Sequence, residues 1–156
     1  MRVRDTCGIA LLSCVLVNLP VLHAAERRIA RAALPAPVEA TVAEQSKGET
    51  IQGLSTDTEN GKPIYELALS VNGRARDVTI DAQGRILEIE DEVALASLPV
   101  AVRQALAAGA GTGTIGKVES LTKNGKLVAY EAVVRTGKRT TEIQVGPDGR
   151  TLAHPE

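Results

Sequence analysis

Phenylalanine and tryptophan are missing from this 156-residue chain, tyrosine occurs twice, and aromatics make up 1% of it. Without planar side chains there are few platforms on which nucleic-acid bases could stack. With 18 basic residues against 19 acidic, there is also no cationic footprint for a phosphate backbone. Nucleic acid is thereby excluded as the expected partner. Cysteine is equally scarce: Cys7 and Cys14 are the only two, and histidine is limited to His23 and His154. What remains is ordinary for a soluble globular chain, with 44% hydrophobic and 24% charged residues and a mean hydropathy near zero. The length suits one domain, or two small ones sharing a core.

The N-terminus reads as an export signal spanning residues 1–25. Arg2 and Arg4 give the positive end, Gly8 to Leu22 the apolar stretch, and His23-Ala24-Ala25 the small residues before cleavage. That stretch is short of the roughly 20 apolar residues that span a bilayer, and Asn18 and Pro20 interrupt it. An uncleaved anchor is the rival reading. Lipid attachment at Cys14 is a third, because Leu11-Leu12-Ser13-Cys14 loosely resembles a bacterial lipobox, although the longer apolar run follows Cys14 rather than preceding it.

Cleavage after Ala24 or Ala25 removes Arg2, Arg4, Asp5, both cysteines and His23, leaving 16 basic and 18 acidic side chains. The expected mature protein is periplasmic or secreted, free of disulfides, and without a stable membrane span. Cysteine nucleophiles and cysteine zinc sites are then excluded. A Ser-His-Asp arrangement would have to recruit His154 from the chain's end, where geometry is poorly held. No enzyme activity and no cofactor are expected.

The rest of the chain reads as one unit written twice. Leu34-Pro35 matches Leu98-Pro99 at an offset of 64, as do Val38 and Val102, Ile51 and Ile115, and Gly61-Lys62 and Gly125-Lys126. One inserted residue makes the offset 65, at which Tyr65-Glu66 meets Tyr130-Glu131, Val78 meets Ile143, and Gly84-Arg85 meets Gly149-Arg150. The two tyrosines fall on equivalent positions. Residues 26–33 form a lead-in, mobile or an extra helical turn; the units are assigned to 34–90 and 91–156.

Each unit is expected to start with a helix. In the second, Ser97 is placed as N-cap, Pro99 in the first turn, Val102, Ala105 and Leu106 form one stripe, and Gly109 and Gly111 stop it. The first is weaker: Pro35 and Pro37 open it, Val38 and Val42 line one side, and Gly48 ends it. Strands follow. Alternation over 64–71 puts Tyr65, Leu67, Leu69 and Val71 on one face, and over 128–134 it puts Val128, Tyr130, Ala132 and Val134 there. Asn72-Gly73 is a two-residue hairpin signal, Val78 with Ile80 and Ile143 with Val145 mark the next strands, and short final strands carry Leu87 or Leu152. Strands are also expected around 51–57 and 115–121, with an unclear inward face, because the three-residue step from Ile51 to Leu54 does not alternate.

The fold class is therefore α+β, two tandem repeats, each a helix packed on a three- or four-stranded antiparallel meander. The sheet face away from the helices holds Glu66, Ser70, Asp77, Glu131, Arg135 and Glu142, so it is solvated or a docking surface.

This pattern resembles the PepSY-like family of exported bacterial proteins, a relative of the β-lactamase inhibitor protein architecture. The resemblance rests on Leu98-Pro99-x-x-Val102, Gly125-Lys126 before Tyr130-Glu131, and the closing Asp148-Gly149-Arg150-Thr151-Leu152. It recurs as Leu34-Pro35-x-x-Val38, Gly61-Lys62 before Tyr65-Glu66, and Gly84-Arg85-Ile86-Leu87, so it covers about residues 34 to 152. The resemblance implies helix-plus-sheet modules that bind or inhibit other proteins, peptidases among them, with no catalytic residue. The chain departs from the family after the second helix, where Gly109–Thr114 stands in place of aromatic residues.

Three further patterns bear on function. Gly111–Lys117 (GTGTIGK) fits seven positions of a phosphate-binding loop, but Val118 stands where a hydroxyl is needed, and the run leaves a helix for a strand. The acidic run Glu88, Glu90, Asp91 and Glu92 is a weak cation candidate, because a hard-cation site needs six or more converging oxygens. Tyr65 and Tyr130 read first as the bulk of two small cores and second as contacts; Glu66, Glu131 and Arg135 complete the candidate partner-binding set.

The expected function is an exported, non-enzymatic module that binds a protein partner in the cell envelope, such as a peptidase or other hydrolase that it inhibits or regulates. The alternatives are a periplasmic carrier of a cation or small ligand and a structural envelope lipoprotein. Intact mass of the exported protein should give a chain starting at Ala25 or Glu26; an acylated chain starting at Cys14 would instead assign the lipoprotein.

Overall fold

The computed structural model describes residues 27–152 and 156; the expected export signal at 1–25, with Cys14, and His154 lie outside these residues. The chain forms a short strand β1 (Arg27–Arg28), a 3-10 turn at 31–33, and helix α1 (Ala36–Gln45). Strands β2 (Thr50–Glu59), β3 (Lys62–Val71), β4 (Arg74–Asp81) and β5 (Ile86–Glu92) follow. A second 3-10 turn at 95–97 leads to α2 (Val100–Ala110), then β6 (Thr114–Lys123), β7 (Lys126–Thr136) and β8 (Arg139–Val145). All eight strands join one antiparallel sheet in chain order, with both helices on one face. Among the described residues no helix is long and apolar enough to cross a membrane.

The turns explain why the strands run longer than their apolar cores suggest. Asn60-Gly61, Asn72-Gly73 and Asn124-Gly125 all take positive φ at both residues, the geometry whose twist matches that of a right-handed hairpin. Only the middle pair stands out from sequence alternation. The other two sit among polar residues, yet close hairpins pairing Glu59 with Lys62 and Lys123 with Lys126.

The three-residue step that obscured β2 is a bulge. Ile51 pairs with Leu69 and Leu54 with Leu67, the extra residue being absorbed between Ile51 and Gly53. Both apolar side chains thus reach the helix face. In β6 a second bulge lies between Ile115, opposite Val134, and Val118, opposite Ala132.

Three local expectations need correction. Arg27 and Arg28 extend the sheet opposite Thr56 and Ser55, and Ile29 N donates to Leu54 O at 3.0 Å, so the lead-in begins as an edge strand and its helical turn is confined to the 3-10 turn at 31–33. Ser97 is not a helix cap: its hydroxyl donates to Ala94 O at 2.7 Å within the 3-10 turn, and Pro99 occupies the N-cap of α2. Gly109 does not stop α2 but lies inside it, where a Cβ would stand 3.1 Å from Ile143 Cδ1; Gly111, with φ +55°, ends the helix.

Each helix seals its own core. Val38 and Val42 of α1 pack with Leu67, Leu69, Val78 and Ile80, all fully or almost fully buried. Val102 and Leu106 of α2 pack with Leu98, Val118, Ala132 and Val145. Burial of each Leu, Ile or Val side chain contributes about 1.5–3 kcal/mol before chain entropy is charged against it. Tyr65 and Tyr130 lie against these two clusters, partly buried. Between the clusters the helix face turns polar: Arg76 Nε pairs with Asp91 Oδ1 at 2.5 Å, and Ser120 lies opposite Asp91. The two cores are joined through the sheet, where β5 pairs with β6 over 88–92 and 119–123. The expected boundary between residues 90 and 91 therefore falls inside β5.

Each helix is also pinned to a hairpin turn. A Cβ at Gly84 (φ +80°) would lie 2.5 Å from Pro37 O, and one at Gly149 (φ +81°) 2.7 Å from Ala101 O. Thr41 Oγ1 closes the first of these contacts by donating to Gly84 O at 2.6 Å. Gly61 has a similar φ of +75° but open space around it. Urea unfolding should therefore separate backbone strain from close approach. Gly61→Ala should cost about 1 kcal/mol from the left-handed conformation alone, and Gly84→Ala or Gly149→Ala about 2–3 kcal/mol. Equal losses at all three positions would mean that the helix contacts do not constrain the fold.

Candidate functional site

The face away from the helices takes every second residue of each strand. Register places Glu66 of β3, Asp77 of β4, and Glu88, Glu90 and Glu92 of β5 on it, followed by Glu119 of β6 and Glu131 of β7. Lys117 and Lys123 of β6 and Arg28 of β1 are the cations among them. Seven carboxylates thus stand against three cations in the middle of one surface. Leu121 and Ala129, paired on the same face, are buried despite pointing away from the helices. Beside them lies a hollow of about 430 Å³, floored by Gly53 and Ala68 and lined by Arg28, Glu66, Asp77 and Glu90 among others.

The carboxylates differ in how they are met. Ser55 Oγ donates to Glu66 Oε2 at 3.1 Å across β2 and β3. At the corresponding place on β6 and β7, Glu119 stands opposite Glu131, so a hydroxyl donor is replaced by a second acid. Gln144 Nε2 donates to Glu131 Oε2 at 2.7 Å. Glu119 is 4% exposed. The Lys117 ammonium stands 2.7 Å from its Oε1, so the buried carboxylate is met by a cation at the distance of a charge-assisted hydrogen bond. Burial works against the charge of Lys117, but the contact with Glu119 and the negative field of Glu119, Asp77 and Glu90 outweigh it and raise its pKa.

Asp77, Glu90 and Glu119 converge from three adjacent strands, each offering a carboxylate oxygen within 4.8 Å of the others. Burial, then the charges of Glu119, Glu88 and Glu131, push the Glu90 carboxyl up to about 7. Three oxygens at this spacing could share a proton, take a cationic side chain, or supply part of a hard cation's shell, which needs six or more.

The acidic run expected to act together is divided by alternation. Asp91 points to the helix face and its ion pair with Arg76. Glu88 pairs with Lys123 at 3.5 Å, and Glu92 Oε2 accepts from Ala75 N at 3.1 Å. Only Glu90 of the four joins the triad. Of the candidate contact residues, Glu66 and Glu131 lie on the open face, and Arg135 lies there too, exposed near the end of β7. Tyr65 and Tyr130 lie on the opposite one, against the cores. Glu119 and Lys117 were not singled out from sequence, because the bulge before Val118 reverses the phase of β6. The signal available was the replacement of Ser55 by Glu119 at the offset of 64. The run at 111–117 connects α2 to β6, and Gly113 is where the chain passes Val134, a Cβ there meeting its Cγ1 at 2.4 Å.

No protein-family model matches the chain, and no curated protein matches it. Solved structures do. One from Bacteroides eggerthii, named only provisionally as a periplasmic protein, superimposes with a TM-score of 0.63 at 18% identity over 76% of this chain and 86% of that one. A DUF2874 family protein from Bacteroides uniformis gives 0.61 at 20% identity, over 76% and 86%. A BLIP-like protein from Bacteroides fragilis gives 0.58 at 18%, over 76% and 83%. The fold is accordingly BLIP-like, an antiparallel sheet backed by helices.

The triad makes a pH-dependent demand on stability. Folded Glu90 keeps its proton up to about pH 7, whereas an ordinary glutamate releases it near 4.5. Between those values the folded state binds more protons, so this group's contribution to stability falls as pH rises and is fully unfavourable above 7. Glu90→Gln should raise the unfolding free energy at pH 8 by about 1 kcal/mol, after solvent screening at a partly exposed site is allowed for. The gain should shrink toward zero by pH 5. Urea melts at the two pH values measure it, and an equal gain at both would contradict the assigned titration.

Proposed function

We propose that this chain is an exported, non-enzymatic protein-binding module, built from two PepSY-like units and working in the periplasm or secreted from the cell. Its docking surface is the sheet face opposite the helices, and its partner is a protein of the cell envelope that it inhibits or regulates. The observation that carries this reading is the asymmetry of the sheet: helices cover one face, while the other displays a hollow and a surplus of carboxylates. Large open sheet faces in antiparallel proteins are either solvated or docking surfaces. An acid-rich face with a formed hollow favours docking.

Other observations support the same reading. The export signal and the provisional periplasmic name of the B. eggerthii structure agree in compartment. Two units are supported by features recurring at the sequence offset: a bulge after Ile51 and after Ile115, and a turn glycine against the first helical turn at Gly84 and Gly149. A mature chain without cysteine and with only a terminal histidine is poorly supplied with nucleophiles and bases. A second reading, a divalent-cation carrier, is favoured by the Asp77–Glu90–Glu119 triad.

The test uses a photo-crosslinking residue placed in the producing cell's own protein. At Thr79, on the open face beside the hollow, it should yield adducts to envelope protein. At Val100, exposed on α2, it should not. The purified mature protein should show no peptide or ester hydrolysis. Adducts from Val100 alone, or turnover abolished by a single carboxylate substitution, would overturn the reading.

A further inference from the structure

We infer that the outer edge of β8, from Ile143 back to Arg139, is a strand-addition site that receives an extended segment of a partner protein, aliphatic at its start and acidic toward its end. The site lies at the sheet margin and not on the open face, so the inference goes beyond the docking reading above.

The equivalent edge in the first unit shows what this one lacks. At the offset of 65, β8 corresponds to β4, and the pairing of Val145 with Thr151 repeats that of Ile80 with Ile86. Gly146 N donates to Arg150 O at 2.8 Å, as Asp81 N does to Arg85 O at 2.9 Å. Beyond that point the two units part. β5 runs on along β4, setting Ile89 opposite Val78 and Asp91 opposite Arg76. Along β8, no described strand pairs with the outer side of residues 139–143. Glu156, which the offset aligns with Asp91, is tied by its N–H to Gln144 Oε1 at 2.8 Å rather than paired with Thr141. Packing reflects the difference: Val78 is fully buried, whereas its counterpart Ile143 is only half-buried.

The backbone supplies the attachment. Thr136 and Arg139 close a two-residue turn, so they bond each other, and by alternation Thr141 and Ile143 bond inward to β7. The N–H and C=O groups of Thr140 and Glu142 therefore point outward. In the first unit the matching N–H, that of Ala75, is met by Glu92 Oε2 at 3.1 Å. A strand laid antiparallel on β8 satisfies the outward groups in its turn.

Charge sets the sequence of that strand. Arg135, Lys138 and Arg139 stand exposed around the β7–β8 turn, and Glu142 is the one acid of β8. Among the described residues none of these three cations is in an ion pair. An aliphatic residue opposite Ile143 and carboxylates opposite Arg139 and Lys138 therefore complement both ends of the edge. β5 has the same order, with Ile86, Leu87 and Ile89 ahead of Glu90, Asp91 and Glu92.

The experiment combines NMR titration with amide hydrogen exchange on the labelled mature protein at pH 7 and low salt. The probe is the capped peptide ITVEED, and the controls are ITVKKK and ITVEED N-methylated at its second and fourth residues. ITVEED should shift the amides of Thr140, Glu142 and Ile143 to saturation and slow exchange at Thr140 and Glu142 about tenfold or more. Neither control should do so. Arg139→Glu, a change at an exposed residue, should weaken ITVEED about five- to tenfold. Equal binding of the N-methylated peptide reduces the interaction to charge and overturns the inference, as does the absence of a saturable shift along β8 or an unchanged affinity in Arg139→Glu. Protection of Thr140 and Glu142 in the free protein also overturns it. Such protection assigns the edge to the chain's own tail if independent of protein concentration, and to a second copy if it rises with concentration. Crosslinking from Thr79 reads the open face alone, so either reading can fail without the other.

Discussion

The pairing of β5 with β6 is what makes two small helix-backed sheets into one surface. On the helix side it leaves a polar seam, Arg76 with Asp91 beside Ser120, between two separate apolar clusters. Neither cluster has a large aromatic residue beyond its single tyrosine, so each depends on close fit of Val, Leu and Ile under a short helix. Close fit in turn explains the glycines that face Pro37 and Ala101: the helices sit nearer to the hairpin turns than any side chain would permit. On the other side, the same pairing brings Glu90 next to Glu119 and builds the acidic patch out of residues from both halves of the chain.

That patch is unusual in being assembled against its own electrostatics. Cross-strand like charges are unfavourable, yet Glu92 faces Glu119 and Glu119 faces Glu131 along one row. Donors soften the arrangement only in part, through Gln144, Lys117 and the backbone of Ala75. Charge held in place at a cost to folding is commonly tied to what a surface recognises.

Much of this architecture could be read from residues alone, and the failures have physical causes. The helix stripes, the alternation of 64–71 and 128–134 and the export of Glu66 and Glu131 to the far face followed from periodicity. Periodicity failed wherever a bulge changed its phase, which hid the inward set of β2 and the site residues Lys117 and Glu119. It also failed for Asn60-Gly61 and Asn124-Gly125, where long hairpins run past the apolar residues into polar ends. The acidic run from Glu88 to Glu92 reads as one cluster only by sequence proximity, which is not spatial proximity in a strand. In a strand, neighbours point apart, and Asp91 went to the opposite side of the sheet.

The seam between β5 and β6 has one more consequence. Should the half built on α2 open before the half built on α1, β5 becomes a bare sheet margin whose exposed row is Glu88, Glu90 and Glu92. Charged residues at such a margin repel a second copy before its backbone can add on. The acids that crowd the intact surface would then act as gatekeepers, keeping a half-opened molecule from polymerising in an export compartment where no disulfide holds it shut.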